Sequence, residues 1–351
     1  MLRFLVRRIR YSMLVLAGVI TVVFFLFNVL PGDPARLTMG QRSDLASVEN
    51  ARREMNLDKP LATRYFLYLN DISPIGYHKR DSAEKAKYSY ATLLPLGDHA
   101  LGLKVPYLGR SYNTKRGVST VLTEALPGTI ILALAAMVIA TICGILLGIV
   151  AALKKDTWLD TSSIAASVAG VSMPSFFAGL VIAYFFGYVL HSYTGLNMTG
   201  SLWEYDAITG RHLALKNLIL PAIALGIRPL AIITQLTRSA LLDVLSQEYI
   251  RTAYAKGLST TKVVFRHALP NALNPVVTAI SGWLAELLAG SFFVEYIFGW
   301  KGVGKITVDA LDKFDFPLVM GSVLLTAFIF IIVNLVTDML YGWLDPRVRL
   351  Q

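Results

Sequence analysis

The chain has 351 residues, 55% of them hydrophobic and 16% charged, with a net charge of +10 and one cysteine. Soluble domains are roughly 25% charged. Here the charges are gathered into short blocks between long apolar stretches, which excludes an ordinary soluble enzyme and points to helices crossing a bilayer, each about 20 residues long. The basic excess lies in loops between apolar segments, where membrane topology accounts for it without nucleic acid, and Cys143 alone can form no internal disulfide.

Taken in chain order, the pattern predicts six spans. A basic start (Arg3, Arg7, Arg8, Arg10) leads into Tyr11–Leu30. This run is longer than the roughly 7–15 residues of a signal h-region, and it ends in Asn28-Val29-Leu30-Pro31-Gly32-Asp33-Pro34 instead of a small-residue cleavage site, so it reads as a retained helix. Residues 33–120 then form an extracytoplasmic insertion. Within it Leu45–Met55 has helical character, which Asp58-Lys59-Pro60 ends, and Ile72–Asn113, rich in Tyr, Pro, Gly and charge, reads as a small irregular cap. That cap is either a tolerated insertion or a docking element. The remaining spans are Leu126–Leu153, Thr161–Leu190, Leu218–Leu242, Ala272–Phe298 and Pro317–Leu344. The expected fold is therefore an all-α polytopic membrane protein. It divides into 1–32 (N-terminus and first span), 33–120 (insertion) and 121–351 (a core with spans two to six and a polar loop, 246–272).

Orientation follows from Lys and Arg in the short loops. The N-terminal arginines, Lys154 and Lys155, the group Arg238, Arg251, Lys256, Lys262 and Arg266, and the tail residues Arg347 and Arg349 all fall on one side of a six-span chain. That side is the cytoplasm. In the opposite loop, Gly299–Phe316, Lys301, Lys305 and Lys313 are balanced by Asp309, Asp312 and Asp315.

Inside the spans, Gly144 and Gly148 form a small-xxx-small pair that lets helix backbones approach. Pro174, Pro221 and Pro229 are expected to interrupt their helices, lining a cavity or simply kinking the packing. Arg228 and Glu286 are charges at membrane depth. Such charges face an interior or a wet cavity, so they either line a translocation path or form a buried structural pair, or, for Arg228, snorkel near a helix end. Ser281 and Ser291 join them as candidates for the path. Asp338 and Asn334, one turn apart, read as a structural network. The histidines (His78, His99, His191, His212, His267) have no metal-ligand spacing.

Gly299-Trp300-Lys301-Gly302-Val303-Gly304-Lys305 has phosphate-loop spacing, but Ile306 stands where such a loop needs Ser or Thr for magnesium. It also follows an apolar span and falls outside the cell, so it is no ATP site. Any uphill transport then takes its energy from an ion gradient or a partner.

The polar loop carries the most information. Glu248–Lys256 has helix-forming composition, with Ile250, Ala253 and Tyr254 on one face. Gly257 terminates it. Ser259 is placed to cap a second helix, Thr260–Leu269, with an apolar stripe of Val263, Val264 and Ala268, and Pro270 stops it. The result is a rigid amphipathic knuckle that is either a protein socket or an element lying on lipid.

Arg251-Thr252-Ala253, then Gly257, then Leu269-Pro270 resembles the EAA loop of ABC-importer permeases, with Arg and Thr replacing the first two residues of the loop's name. The wider string Glu248-Tyr249-Ile250-Arg251-Thr252-Ala253-Tyr254-Ala255-Lys256-Gly257-Leu258 is similar to the dipeptide and oligopeptide branch, which usually has arginine where Tyr254 stands. The opening Arg7-Arg8 with Leu30–Pro34, the segment Glu295–Gly304 and the tail Asp345-Pro346-Arg347-Val348-Arg349 resemble that branch's first permease subunit type. Ile72–Asn113 looks longer than the family's usual segment. The resemblance implies a type I importer permease in the bacterial inner membrane. It further implies a second homologous permease, cytoplasmic ATPase subunits that hold the ATP and magnesium, and an extracytoplasmic binding protein. It implies no catalytic residue, cofactor or metal in this chain. The ATPase-coupling positions would be Glu248, Arg251, Thr252, Ala253, Lys256, Gly257, Leu258, Leu269 and Pro270, with Arg251, Ala253 and Gly257 at the ATPase groove. A secondary transporter would call for internal repeats and ion-coupling carboxylates, and a membrane enzyme for an acid–base or nucleophile constellation. Neither stands out.

Overall fold

The computed structural model describes residues 2–29, 49, 52–53, 56–206 and 210–344. The string Leu30–Pro34, the tail Asp345–Arg349 and all of Leu45–Met55 except Glu49, Arg52 and Arg53 lie outside the described residues. Among the described residues, four helices are long and apolar enough to cross a membrane, or up to six spans if each of two bent helix pairs is one.

The first span, α1 (Leu2–Val29), begins within the arginine-rich start. It is followed by α2 (Leu61–Ile72), β1 (Ile75–Lys79), α3 (Ser82–Tyr88), β2 (Ala91–Leu96) and β3 (His99–Leu103). Helix α4 (Val118–Leu153) starts at Val118 instead of Leu126, because Pro127 is carried inside it. Next come α5 (Trp158–Ser172) and α6 (Ser175–Ile182), the latter running on as a wide π turn, Ala183–Val189. They meet at 110° across Met173-Pro174. Met173 is extended there, as a residue before proline prefers. After α7 (His191–Thr194) and a hairpin of β4 (Trp203–Asp206) and β5 (Gly210–Leu213) comes α8 (Lys216–Leu245). The polar loop holds α9 (Glu248–Ala255), α10 (Thr260–Val263), a π turn (Val264–Ala268) and α11 (Leu269–Ala272). The chain then runs through α12 (Asn274–Gly290), α13 (Phe292–Ile297), α14 (Val303–Asp312) and α15 (Phe316–Leu344). The fifth span is thus interrupted at Ser291.

The described residues form two compact units. One comprises Met13–Ala125 and Ile306–Ala327. In it the cap between the first two spans is ordered, contrary to the irregular segment expected. Its three strands form an antiparallel sheet in the order β1-β3-β2. Phe24 of α1 packs its ring on Tyr65 and Tyr68 of α2, at 5.1 and 5.4 Å between centroids. Asp315 is buried and accepts from the Ser111 hydroxyl at 2.5 Å and the Tyr112 N–H at 3.0 Å, pinning the end of the cap. Under the sheet, His78 is buried between the Tyr88 and Tyr90 rings, 4.3 and 5.0 Å away. Its Nδ1 lies 3.5 Å from Glu84, and its Nε2 is buried with no partner among the described residues. Asp71 accepts the Tyr88 hydroxyl at 2.7 Å, and Lys104 donates to the Asp71 carbonyl at 2.5 Å.

The other unit comprises Met1–Ser12, Leu126–Lys305 and Phe328–Gln351. Its core joins Leu132, Ala136 and Ala140 of α4 to Leu225 and Ile233 of α8, with Val276 and Leu287 of α12 and Trp300. The glycine pair does what its spacing predicts. A Cβ on Gly144 would lie 3.0 Å from the Leu230 carbonyl oxygen, and one on Gly148 2.8 Å from that of Thr234. Gly226 of α8 comes equally close to the Ala136 carbonyl oxygen, at 2.9 Å. Pro221 and Pro229 do not interrupt α8 as expected; the helix is continuous through both. It is held on two sides, by α4 at Gly226 and by α5, whose Gly170 faces Ile227 and Ala231, and neighbouring helices of this kind tolerate proline. Asp160 of α5 receives Arg238 of α8 in a two-point ion pair, Nε at 2.5 Å and Nη2 at 2.7 Å. Asp338 pairs with Arg8 of α1 at 3.1 Å, whereas Asn334 donates to the Phe330 carbonyl, so the two do not form the network expected of them.

Two tests follow from this packing. Gly148→Val forces a side chain into the Thr237 methine, 2.5 Å from the built Cβ, at a cost of about 1–3 kcal/mol or more. Thermal unfolding in detergent should shift down by several degrees, whereas Gly18→Val, with nothing within 4 Å of its Cβ, should leave it unchanged. The second concerns pH. Burial, with Lys104 adding to it, holds the His78 pKa below its ordinary value. The stability this contributes is complete above the unfolded pKa of about 6.5 and is lost as pH falls from there through the folded value. Amide protection across Ile75–Tyr90, taken relative to intrinsic exchange at each pH, should therefore fall below about pH 6.5, and His78→Phe should flatten the dependence.

Candidate functional site

The polar loop is a knuckle with one buried and one exposed side. Ile250 and Ala253 of α9, Val263 of α10, Val264, Ala268 and Ala272 pack on Ile149 and Ala152 of α4 and Leu241 of α8. The loop is thus seated on the ends of the two helices that meet at the glycine seam. Tyr254, expected on the buried face, is exposed, because one residue past Ala253 the helix has turned by about 100°. Helix α9 ends in a Schellman motif: Leu258 N–H bonds the Ala253 carbonyl at 3.4 Å, and Gly257 N–H bonds that of Tyr254 at 2.9 Å. Gly257 has φ +80°, and nothing lies within 4 Å of a Cβ built on it. Ser259 occupies the N-cap position of α10, but its hydroxyl makes no capping bond. Pro270 does not stop the second helix. The π turn Val264–Ala268 restarts the helical path, so Pro270 falls in the first turn of α11, where a missing N–H costs little.

The candidate coupling residues therefore divide. Glu248, Arg251, Thr252, Lys256, Gly257 and Pro270 are exposed, and Arg251 pairs with Glu248 at 2.8 Å. Leu258 and Leu269 are half-buried at the seat, and Ala253 faces inward with them.

The candidate path residues divide as well. Arg228 of α8 and Glu286 of α12 face each other at 4.0 Å, their side chains 43% and 56% exposed. The Arg228 guanidinium also lies 5.6 Å from the Trp283 ring. Ser281 lies on the same helix as Glu286, and its hydroxyl bonds the Val277 carbonyl. Ser291 does not belong with them. It is buried and donates to Glu295 at 2.6 Å.

Glu295, which sequence reasoning passed over, explains the glycine-rich string. Its carboxylate is fully buried and accepts from Ser291, from the Thr129 hydroxyl, and from the backbone N–H groups of Gly304 and, at 3.2 Å, Lys305. Thr129 in turn accepts the Val303 N–H at 2.8 Å. A Cβ on Gly302 would lie 2.3 Å from Glu295 Oε2, and one on Gly304 2.5 Å from the Phe292 Cα. The loop with phosphate-loop spacing thus cradles an anion after all: the chain's own carboxylate, at the N-terminus of α14. An acid a few residues before a glycine run was the signal available in the sequence.

Comparison with known proteins places this architecture. Residues 144–350 match the family model of binding-protein-dependent transport system inner membrane components, and residues 1–133 match its N-terminal companion. The chain belongs to this family. It is 37% identical to a di/tripeptide transport system permease protein of Pseudomonas aeruginosa over the whole of both chains. It is 36% identical to a probable D,D-dipeptide transport system permease protein of Escherichia coli, over 95% of this chain and 94% of that one. A glutathione transport system permease protein of Pectobacterium atrosepticum is 33% identical over 99% of both. The protein is accordingly a multi-pass membrane permease, a transport subunit and not an enzyme. It works in a system that has a binding protein and a separate ATPase.

The buried carboxylate can be tested directly. Glu295→Ala leaves backbone N–H groups without an acceptor, at about 1–3 kcal/mol each. Amide exchange of Gly304 and Lys305 should speed up by roughly five- to hundred-fold, with exchange in α9 unaffected.

Proposed function

We propose that the chain is one half of the transmembrane pore of an ATP-driven peptide importer, and that the knuckle α9–α11 is its ATPase socket. A second, homologous permease supplies the other half. The N- and C-termini and the knuckle lie in the cytoplasm, as the basic loops require. Residues 33–120 are an extracytoplasmic insertion on the side of the binding protein, and 121–351 form the core permease. Peptides are the cargo class, by kinship with permeases named for dipeptides, di/tripeptides and glutathione.

One observation carries the socket reading. The knuckle seats Ile250, Ala253, Val263, Val264 and Ala268 on α4 and α8, and it turns outward Glu248, Arg251, Thr252, Lys256 and the open Gly257, with the Tyr249, Tyr254 and Phe265 rings beside them. A helix lying on lipid would turn its apolar side outward. In this reading Arg251 and Gly257 meet the ATPase, while Ala253, Leu258 and Leu269 fix the knuckle to the helices it moves. Arg228, Glu286 and Ser281 face the translocation path.

Gly257→Trp tests the socket. The left-handed backbone costs a side chain about 1–2 kcal/mol, too little to unfold the unit, but the indole would occupy the space a partner needs. With normal ATPase subunits in proteoliposomes, peptide uptake should fall at least ten-fold while the permease remains folded. Full uptake by that variant would refute the assignment.

A further inference from the structure

We infer that Arg228 and Glu286 form a zwitterion site within the permease itself, taking the carboxylate and the ammonium of a peptide's two termini. The inference rests on the reading of the chain as a peptide-conducting subunit and adds the chemistry of recognition along the path.

Both residues lie within spanning helices, α8 and α12, and both are about half exposed. Charged groups turned to hydrocarbon are disfavoured, so this face looks onto water or a polar occupant. The rest of the face agrees. Asn274, Thr278, Gly282, Glu286 and Gly290 follow one another at helical spacing along α12, and all are exposed. Nothing lies within 4 Å of a Cβ built on Gly282 or Gly290. Glu286 thus stands on an open, polar helix face with glycine one turn to either side.

The pair is also incompletely matched. Its closest approach is 4.0 Å, beyond hydrogen-bonding distance. Arg228 Nε is buried with no acceptor among the described residues, while the guanidinium is steadied against Trp283. Two counter-charges are present, and neither is fully used by the other.

Charge balance selects the occupant. A lone cation on Glu286 would strand Arg228, and a lone anion on Arg228 would strand Glu286; an unpaired charge in such surroundings is costly. A zwitterion supplies both partners and leaves the net charge unchanged. Its ammonium takes Glu286 and its carboxylate takes Arg228. When no substrate is present the two side chains neutralise each other, so this face offers simple ions no free counter-charge.

The test uses the complete importer, with binding protein and ATPase, in proteoliposomes. The probe is a mixture of unmodified di- to pentapeptides, with ATP-dependent accumulation read by mass spectrometry. Glu286→Gln, Arg228→Gln and the double variant should each accumulate at least ten-fold less peptide, because every one lacks a counter-charge for a terminus. Glu286→Asp, which keeps the charge, should stay within about three-fold of the unmutated importer and so separates loss of charge from loss of folding. If the double variant transports normally while the single variants fail, the pair is structural and the proposal is overturned. Normal transport by all three variants, or equal loss in Glu286→Asp and Glu286→Gln, overturns it too. An unmutated importer that accumulates no peptide overturns the peptide reading as well, which distinguishes the two failures.

Discussion

The contact on which the larger unit depends is the backbone approach of α4 to α8. Gly144, Gly148 and Gly226 bring carbonyl oxygens to within about 3 Å of where a side chain would start. Apolar residues gain little from burial in a bilayer, since lipid tails are equally apolar. Helices there associate through close packing, and small residues make that possible. The seam holds α4 and α8 as one body. Ile149, Ala152 and Leu241, further along the same two helices, then form the seat of the knuckle. The position of a polar loop is thereby fixed by glycines buried well within the spans.

The second constraint is that polar groups removed from water must be paired. Asp160 and Glu295 meet it with local partners, while the buried Thr237 hydroxyl has none among the described residues. Asp160 takes both arms of Arg238 and the Asp156 N–H. Glu295 collects two hydroxyls and two backbone N–H groups from three chain segments, fastening the start of α14 to α13 and to α4. Ser291 breaks the fifth span, and its side chain is one of the donors that hold Glu295. The break and the buried acid thus belong to one arrangement. Arg228 and Glu286 do not follow this pattern. They are exposed, loosely matched and left with a spare donor, which separates them from the ion pairs that serve the fold.

Much of this was legible in the sequence, for reasons that can be named. Long apolar runs locate spans whatever packs on them. Gly257 and Gly144/Gly148 were readable because glycine has few reasons to stand at a helix end or at four-residue spacing in an apolar run. Pro174 breaks its helix as the sequence predicts, and Pro221 and Pro229 do not, because whether a proline breaks a helix depends on its neighbours. Met173 is free to extend, while α8 is clamped by α4 and α5. The cap's sheet was missed because its strands are short and carry Gly, His and Tyr, whose burial is decided by one another and not by a periodic apolar pattern. That Ser291 turns inward to Glu295 is not legible in the sequence, since a residue's neighbours in the chain do not say which way a broken helix faces.

The arrangement of α8 and α12 links the two candidate sites mechanically. Helix α8 carries Arg228 and runs directly into the knuckle at Leu245, and α12 carries Glu286 and leaves the knuckle directly at Asn274. The chain bends by 55° where α11 gives way to α12, so the two helices enter and leave the knuckle in different directions. Close-packed interiors transmit displacement because they have little free volume to absorb it. On the proposed reading, a push on the outward face of the knuckle would therefore reach both helices, and along different lines. The quantity most directly altered is the separation of two side chains that stand one on each helix, and a pair already at 4.0 Å needs little movement to close or to part. If the knuckle is the ATPase socket proposed above, rigidity at the glycine seam, where α8 is held, and the bend at Leu273, where α12 departs, would carry a force received there to a charge pair within the spans.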